Sequence, residues 1–319
     1  MPSLHEAGSV RRLTVPHTAR TGLLLAAGTA LISGVSVFVN ATAVKAVPDP
    51  AVFTTLKNGV AVVLLLGLAL TVVRPSEVRA VGRRDWGRLT FIGAIGGGVA
   101  FLLFFSGLAM ASAPSAAFIH KTMFVWVALM AGPFLGERLG PAPIAALGVL
   151  VVGQALILPP LGIVWGVGET LIAVATLLWA VEVVVARRVL GHVRSPIVAV
   201  SRLGIGLTVL AGYLIVSGRI GGIVTLGTAG WMWVAITGLL LSGYVATWLA
   251  ALRRAPASQV TAMLVVGAVI TGVLTTVGKG VMPEPATVGG YALIALGVAA
   301  VAVLGTRRVI ATRDPVTVG

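Results

Sequence analysis

The chain has no cysteine among its 319 residues and few charged side chains. The lack of cysteine excludes disulfide bonds, thiol catalysis and cysteine-ligated zinc or iron–sulfur sites. Charged residues make up only 10% of the chain, and aromatic residues only 6%. Apolar residues are abundant instead, with 58% hydrophobic residues, 41 glycines and a mean hydropathy of +1.06. This balance is typical of a chain that folds in lipid rather than in water.

Ten apolar runs follow one another along the chain, with only short polar connectors between them. About 20 apolar residues are needed to span a bilayer as a helix. The predicted spans are 22–44, 51–73, 87–111, 114–135, 141–158, 165–186, 195–217, 230–252, 256–278 and 286–305. We therefore expect an all-α integral membrane protein with ten transmembrane helices and no separate soluble domain.

The net charge of +14 is high enough to suggest nucleic-acid binding, since a basic excess drives phosphate contacts. The positions of the basic residues argue against that interpretation. Most of the 23 Lys and Arg residues fall in alternate connectors, and only Lys45, Arg219 and Lys279 fall in the others. The positive-inside rule then places the basic connectors and both termini in the cytoplasm. We expect a multi-pass protein of the inner (plasma) membrane that contacts lipid and no nucleic acid.

The sequence contains an internal repeat. Residues 107–136 return in degraded form at 251–280, so that Ala111 aligns with Ala255 and Gly136 with Gly280. Each unit holds five apolar runs, and because five is odd the second unit must enter the bilayer upside down. The expected organisation is a cytoplasmic tail at 1–20, a first repeat at 21–158, a second repeat at 163–305 and a cytoplasmic tail at 306–319.

Short motifs in both units carry a family resemblance. The first unit contains Ala113-Pro114-Ser115-Ala116-Ala117, then Leu135-Gly136-Glu137-Arg138-Leu139, then a helix with Gly148 and Gly153. The second unit contains Ala255-Pro256-Ala257-Ser258, with Lys279-Gly280-Val281 in place of the Leu-Gly-Glu element. With the ten helices and the duplication, this pattern resembles the EamA-type repeat of the drug/metabolite transporter superfamily. The resemblance implies transport of a small solute, commonly its export.

Charged residues inside the apolar runs are candidates for a functional site, because each costs about 2.5–3.5 kcal/mol at a helix centre. They are Lys57, Lys121, Glu169, Glu182 and Arg202. Glu182 leans toward the membrane centre, since its helix runs inward and helical side chains tilt toward their own N-terminus. Two interpretations stay open for Glu182. It forms a salt bridge with Arg202, or it lines a cavity and serves proton coupling or the binding of a substrate ammonium group.

His120 and Lys121 form a second candidate site, because a titratable imidazole beside an ammonium group is unusual in an apolar helix. Their repeat equivalents are Leu264 and Val265, so the fold does not demand the pair. Together with Lys57 at a comparable depth, they predict a basic pocket for a carboxylate or phosphate group near the outer side. The alternative is that both lysines extend to the membrane interface.

Aromatic and amide side chains complete the predicted site. Trp179 and Tyr244 could form its wall, as could Phe124, Trp126 and Trp248, and Asn40 could orient a polar group, although packing is the default interpretation for each. The substrate-binding hypothesis therefore contains His120, Lys121, Glu182, Asn40, Lys57, Trp179 and Tyr244. The hypothesis for proton coupling contains Glu182 and His120.

Three further features have structural interpretations. We expect Glu137 and Arg138 to fix the turn between the fourth and fifth helices. Glu169 lies in the first turn of the sixth helix, where the helix dipole favours a carboxylate. The glycines at 93–98 allow close approach of neighbouring helices, or bending.

The favoured function is a secondary transporter, with an exporter expected, that moves a small polar or amphipathic metabolite by alternating access and exchanges protons at Glu182 or His120. We expect no catalytic residue, no metal and no cofactor. The sequence leaves open whether the protein forms a homodimer. One alternative is an intramembrane lipid-modifying enzyme with Glu182 and His120 as an acid–base pair. Another is a non-transporting membrane scaffold or sensor.

Overall fold

The computed structural model describes residues 17–47, 49–111, 113–157, 165–280 and 282–311, and all regular structure in these ranges is helical. Within these described ranges, nine helices are long and apolar enough to cross a membrane, and a tenth is apolar but shorter. They are α1 (His17–Ala46), α2 (Pro50–Val72), α3 (Arg83–Met110), α4 (Ala113–Lys121 and Met123–Leu135), α5 (Pro141–Ile157), α6 (Val167–Val189), α7 (Ser195–Val216), α8 (Thr228–Arg254), α9 (Ala257–Met263 and Val266–Lys279) and α10 (Pro285–Ala311). The all-α fold with ten helices is confirmed. The predicted tails at 1–20 and 306–319 lie mostly outside the described residues, although α1 begins at His17 and α10 continues to Ala311.

The ends of several helices follow directly from local sequence. Asp49 caps α2, since its carboxylate accepts hydrogen bonds from the backbone N–H groups of Ala51 at 2.7 Å and Val52 at 3.2 Å. Glu169 accepts a bond from the N–H of Gly166 at 3.1 Å at the start of α6, which confirms the expected role of this carboxylate at a helix N-terminus. Such caps satisfy backbone groups that lipid could not.

Gly136 and Gly280 end α4 and α9 in the same way. Both adopt the left-handed conformation, with φ of 68° and 65°. A side chain at such a φ is strained, and glycine is therefore the usual residue where a helix ends like this. The two residues are repeat equivalents, so the duplication extends to the backbone conformation.

Contacts at the two ends of the bundle show that repeat equivalents run in opposite directions. Arg194, immediately before α7, donates to the backbone oxygen of Val72 at the end of α2, at 2.7 Å. At the other end, Asp49 before α2 pairs with Arg219 after α7 at 3.5 Å. The start of α7 thus lies at the end of α2, and the end of α7 at the start of α2. The predicted inversion of the two units is confirmed.

The two units also pack on each other with local twofold symmetry. A Cβ on Gly153 of α5 would lie 3.0 Å from Ile294 of α10, and a Cβ on Gly297 of α10 would lie 2.7 Å from Leu150 of α5. Gly153 aligns with Gly297 in the repeat, and Leu150 aligns with Ile294. Likewise α1 packs on α8 and α9, while its equivalent α6 packs on α3 and α4. The pseudo-twofold axis therefore passes between the units, and small residues set the closest approaches.

One end of the bundle, here called the arginine-rich end, carries most of the polar contacts between helices. Asp85 pairs with Arg88 at 2.9 Å and bonds His192 at 2.7 Å. Glu77, in a short helix between α2 and α3, pairs with Arg194 at 2.8 Å. The N–H of Arg74 and then the guanidinium of Arg194 lower the pKa of Glu77 below its ordinary value. These contacts hold the ends of helices from both units together.

Candidate functional site

The helices α4 and α9 are both interrupted, and at the same point of the repeat. The break in α4 lies at Thr122, and that in α9 at Leu264 and Val265. Val265 is the repeat equivalent of Lys121, the last residue of the first segment of α4. Breaks of this kind are tolerated inside a membrane only where protein or a cavity covers the backbone, and they commonly form the binding sites of inverted-repeat transporters.

A central crevice lies between the two breaks. Its lining comes from α1, α4, α8 and α9 and consists of Ser33, His120, Lys121, Met123, Phe124, Tyr244, Thr261, Leu264 and Val265. The same two repeat positions therefore face the crevice from either unit, His120 and Lys121 on one side and Leu264 and Val265 on the other. The volume of about 20 Å³ is enough for roughly one water molecule. In this conformation the crevice is too small for a solute larger than water, so it would have to widen to hold one.

Lys121 is more weakly satisfied than Lys57 or Arg202, the other cations described as buried inside the bundle. Its ammonium group donates one long bond of 3.5 Å, to the backbone oxygen of Leu264 at the break in α9. Of the ion pairs seen in the described ranges, none includes Lys121. An ammonium group has three donors, so Lys121 retains capacity for another acceptor.

His120 faces both the crevice and a cluster of aromatic rings. Its ring centroid lies 5.1 Å from that of Phe104 and 5.0 Å from that of Trp179. Its Nδ1 atom is buried, and no hydrogen-bond partner for it lies within the described part of the chain. The imidazole is therefore held by packing while one of its nitrogen atoms stays available.

Glu182 forms the salt bridge with Arg202 and is not among the residues that line the crevice. The Nε atom of Arg202 donates to one carboxylate oxygen, and Nη2 donates to the other at 3.0 Å. Both side chains are buried, at 1% and 5% exposure. The sequence left open whether Glu182 pairs with Arg202 or lines a cavity, and the structure shows the salt bridge. Among the described residues, no hydrogen bond joins Glu182 to His120.

Glycines in α3 make room for this salt bridge. Residues Ile92–Val99 of α3 form a π-helical segment, in which the backbone hydrogen bonds join residues five positions apart. The backbone oxygen of Gly96 accepts from Trp179 Nε1 at 2.9 Å and from Arg202 at 3.3 Å. A Cβ on Gly96 would overlap the Glu182 carboxylate. The glycine cluster thus permits close approach, as expected, at the buried ion pair.

Lys57 and Asn40 lie together, and neither is among the residues that line the crevice. The ammonium group of Lys57 is 3.8 Å from the ring centroid of Phe105 and 3.5 Å from Oδ1 of Asn40. Lys57 is only 4% exposed and is also within 6 Å of the rings of Phe53 and Phe101. The single basic pocket expected from Lys57, His120 and Lys121 is not formed, because aromatic faces and an amide satisfy Lys57 separately.

Of the aromatic candidates, Phe124 and Tyr244 line the crevice, whereas Trp179 and Trp248 are buried outside its lining and Trp126 is exposed. Tyr244 lines the crevice and stacks on Trp248, with centroids 6.2 Å apart. Trp179 stands behind His120. Ser33 and Thr261 also line the crevice, although neither was a candidate in the sequence.

Glu137 has an architectural contact, but not the one expected. Its carboxylate accepts from the N–H of Ala257 at 2.6 Å, the N–H of Ser258 at 3.2 Å and the hydroxyl of Ser258 at 2.6 Å. The expectation that Glu137 fixes the α4–α5 turn is therefore corrected, because these partners lie at the start of α9. The reason is the inversion, which places the end of α4 beside the N-terminus of its own repeat equivalent, where orphan N–H groups attract a carboxylate.

Ten helices in two inverted units, with broken helices that meet at a central crevice, define a multi-pass membrane protein of the inverted-repeat type. The model of the EamA-like transporter family matches residues 20–158 and 166–303, and the chain belongs to this family. The family consists of transporters, and the resemblance seen in the sequence is confirmed.

No curated protein matches the chain. A solved structure titled only as the crystal structure of a protein is similar, with 21% identity over 88% of this chain and 98% of the other. The TM-score of 0.68 shows that the two share a fold.

Proposed function

We propose that the protein carries a small polar or amphipathic metabolite out of the cell by alternating access. The observation that supports this most directly is the crevice between the breaks of α4 and α9. Because those helices are repeat equivalents of opposite direction, rocking one unit against the other would expose the crevice first to one side and then to the other. The arginine-rich end is assigned to the cytoplasm by the positive-inside rule.

Glu137 supplies a contact that such a movement would break. Its three hydrogen bonds tie the end of α4 to the start of α9 at the arginine-rich end. In the second unit, Gly280 is followed by Val281, so the sequence provides no carboxylate at the equivalent position. We assign the present conformation to a state closed on the cytoplasmic side, in which separation of Glu137 from Ser258 opens that side.

Proton exchange, as the second part of the proposal, is assigned to His120. The carboxylate of Glu182 is already held by Arg202, whereas Nδ1 of His120 is buried beside the crevice with no partner in the described ranges. Replacement His120→Gln keeps a polar side chain but cannot titrate. It should abolish flux driven by a proton gradient while solute exchange without a gradient continues. Loss of both at once would contradict the assignment.

Purified protein reconstituted into liposomes tests the transport proposal. Vesicles loaded with a broad metabolite panel should release at least one member faster than protein-free vesicles, and imposed proton gradients of either sign should alter that rate. A panel in which no member moves under any gradient would overturn the proposal. Lipid turnover in the same vesicles would favour the enzyme instead.

A further inference from the structure

We propose that the transported solute is an organic anion, and that Lys121 binds its carboxylate or phosphate group in the central crevice. The inference rests on the proposed transport function and names the chemical class of the substrate. It depends on which charges inside the bundle have partners.

Within the described part of the chain, the crevice offers no unpaired carboxylate to a cationic solute. The Glu182 carboxylate is paired with the guanidinium group of Arg202. The described residues that line the crevice include no acidic side chain. An ammonium substrate would therefore enter the crevice without a counter-charge, at a high desolvation cost.

The two buried lysines differ in how well they are satisfied. Lys57 contacts the face of Phe105 and the amide oxygen of Asn40, which together replace much of the water around its charge. Among the described residues, the ammonium group of Lys121 has one hydrogen-bond partner, the backbone oxygen of Leu264 at 3.5 Å. Since a charge inside a membrane protein requires a partner, Lys121 is the cation that a bound anion would complete.

Other polar groups around the crevice also suit an acceptor-rich solute. Ser33 and Tyr244 supply hydroxyl groups on the lining, and His120 supplies an unpartnered nitrogen. Behind Tyr244, the Nε1 donor of Trp248 and the Nη1 donor of Arg202 are buried with no acceptor in the described residues. The hydroxyl groups of Ser33 and Tyr244 and the unpartnered N–H groups of Trp248 and Arg202 can each donate a hydrogen bond to an oxygen atom of an anion.

The remaining walls suit an apolar body. Phe124, Met123, Leu264 and Val265 line the crevice. The ring of Tyr244 also lines it, and Trp248 stacks on that ring with the two centroids 6.2 Å apart. A carbon skeleton attached to the anionic group would therefore contact apolar side chains when the crevice widens.

A matched set of probes tests the inference. The phenylpropyl and butyl skeletons would each be presented as carboxylate, phosphate ester, amide and amine. The readouts are thermal stabilisation of the purified full-length protein and counterflow in proteoliposomes. We expect stabilisation by the carboxylate or the phosphate ester and not by the amide or amine, and the better of the two anions identifies the natural head group.

Three variants show whether Lys121 is responsible. Lys121→Gln should weaken anion binding about 10- to 100-fold, as expected for loss of a charge-assisted hydrogen bond. Lys121→Arg, which keeps the charge, should restore most of the affinity. Arg219→Gln removes one positive charge outside the crevice, at the end of the bundle opposite the arginine-rich end, and should leave binding unchanged. If Lys121→Gln does not fold, the discrimination of the wild-type protein between carboxylate and amide decides the question.

The outcomes separate the inference from the transport proposal. Stabilisation by the amine or amide as strong as by the anions, no stabilisation by any probe, or unchanged anion affinity in Lys121→Gln would each overturn the anion site. Anion binding without counterflow of any probe would support the anion site and count against transport.

Discussion

At the scale of single residues, the interior of this bundle is organised around how each charge is satisfied. Arg202 pairs with Glu182, Lys57 contacts aromatic rings and Asn40, and Lys121 has one distant backbone oxygen as its partner in the described part of the chain. A charge in a membrane is costly, so these different surroundings separate structural charges from those available to a solute.

Glu182→Gln should destabilise the folded protein because it leaves the Arg202 guanidinium buried and unpaired. Breaking a buried pair from one side typically costs about 3–5 kcal/mol, whereas replacing both partners with apolar residues is often tolerated. The thermal midpoint of Glu182→Gln should therefore fall well below that of the double variant Glu182→Met with Arg202→Met. An unchanged midpoint in Glu182→Gln, together with loss of gradient-driven transport, would instead place the carboxylate in the transport cycle.

Gly96→Ala should also destabilise the fold, since the added methyl group would overlap the Glu182 carboxylate. Overpacking of a tight site costs about 1–3 kcal/mol. Gly87 lies in the same helix, and a methyl group added there would have no neighbouring atom within 4 Å, so Gly87→Ala is the matched control. It should be neutral or slightly stabilising. Equal midpoints for the two variants in detergent would show that the close approach at Gly96 is not required.

At the scale of helices, the breaks in α4 and α9 and the contact between their ends connect the two units. Glu137 acts as a cap for α9 although it belongs to the end of α4. A single carboxylate thereby links secondary structure in one unit to that in the other.

Glu137→Ala should weaken the start of α9 by about 0.5–2 kcal/mol, the usual cost of losing a helix cap. Ser258→Ala removes one of the three hydrogen bonds and should cost less. The two losses should not add, because the side chains contact each other directly. Glu284→Ala, at an exposed carboxylate between α9 and α10, is the control and should have little effect on the midpoint. Fully additive losses for Glu137 and Ser258 would contradict the capping role.

The helices themselves were predictable from the sequence, and their contacts only in part. Apolar length predicts α2 or α7 without reference to any neighbour, and the repeat predicts the matching ends at Gly136 and Gly280. The partner of Glu137 was not predictable, because it lies 120 positions away on a helix of the other unit. The break in α4 beside Lys121 was missed as well. Its signal is the retention of His120 and Lys121 within an otherwise apolar run.

At the scale of the whole molecule, inversion places the repeat equivalents antiparallel and sets the crevice between them. Both interlocking contacts, Arg194 with Val72 and Asp49 with Arg219, depend on this arrangement. The arginine-rich end and the opposite end are therefore fixed relative to every helix.

Single cysteines introduced into this cysteine-free chain test the orientation directly. Gly82 lies at the arginine-rich end before α3, and Gly221 lies between α7 and α8 at the other end; both have free space around them. In intact cells, an impermeant maleimide should label Gly221→Cys at once and Gly82→Cys only after the membrane is opened. The parent protein, without cysteine, gives the background. The reverse pattern would place the arginine-rich end outside, and labelling of both from one side would contradict the inverted topology.

The sequence alone determined the membrane class, the ten crossings, the duplication and the inversion. These follow from the length of the apolar runs, the alternation of basic connectors and the odd number of runs in each unit, which can all be read from a linear chain. The tertiary structure decided which charged side chains meet. The rotation and register of each helix determine these contacts. They bring Glu182 to Arg202, place Lys57 on the ring of Phe105, and direct Lys121 toward the break in α9. Those are set by close packing among all ten helices together, and a single apolar run carries too little information to specify them.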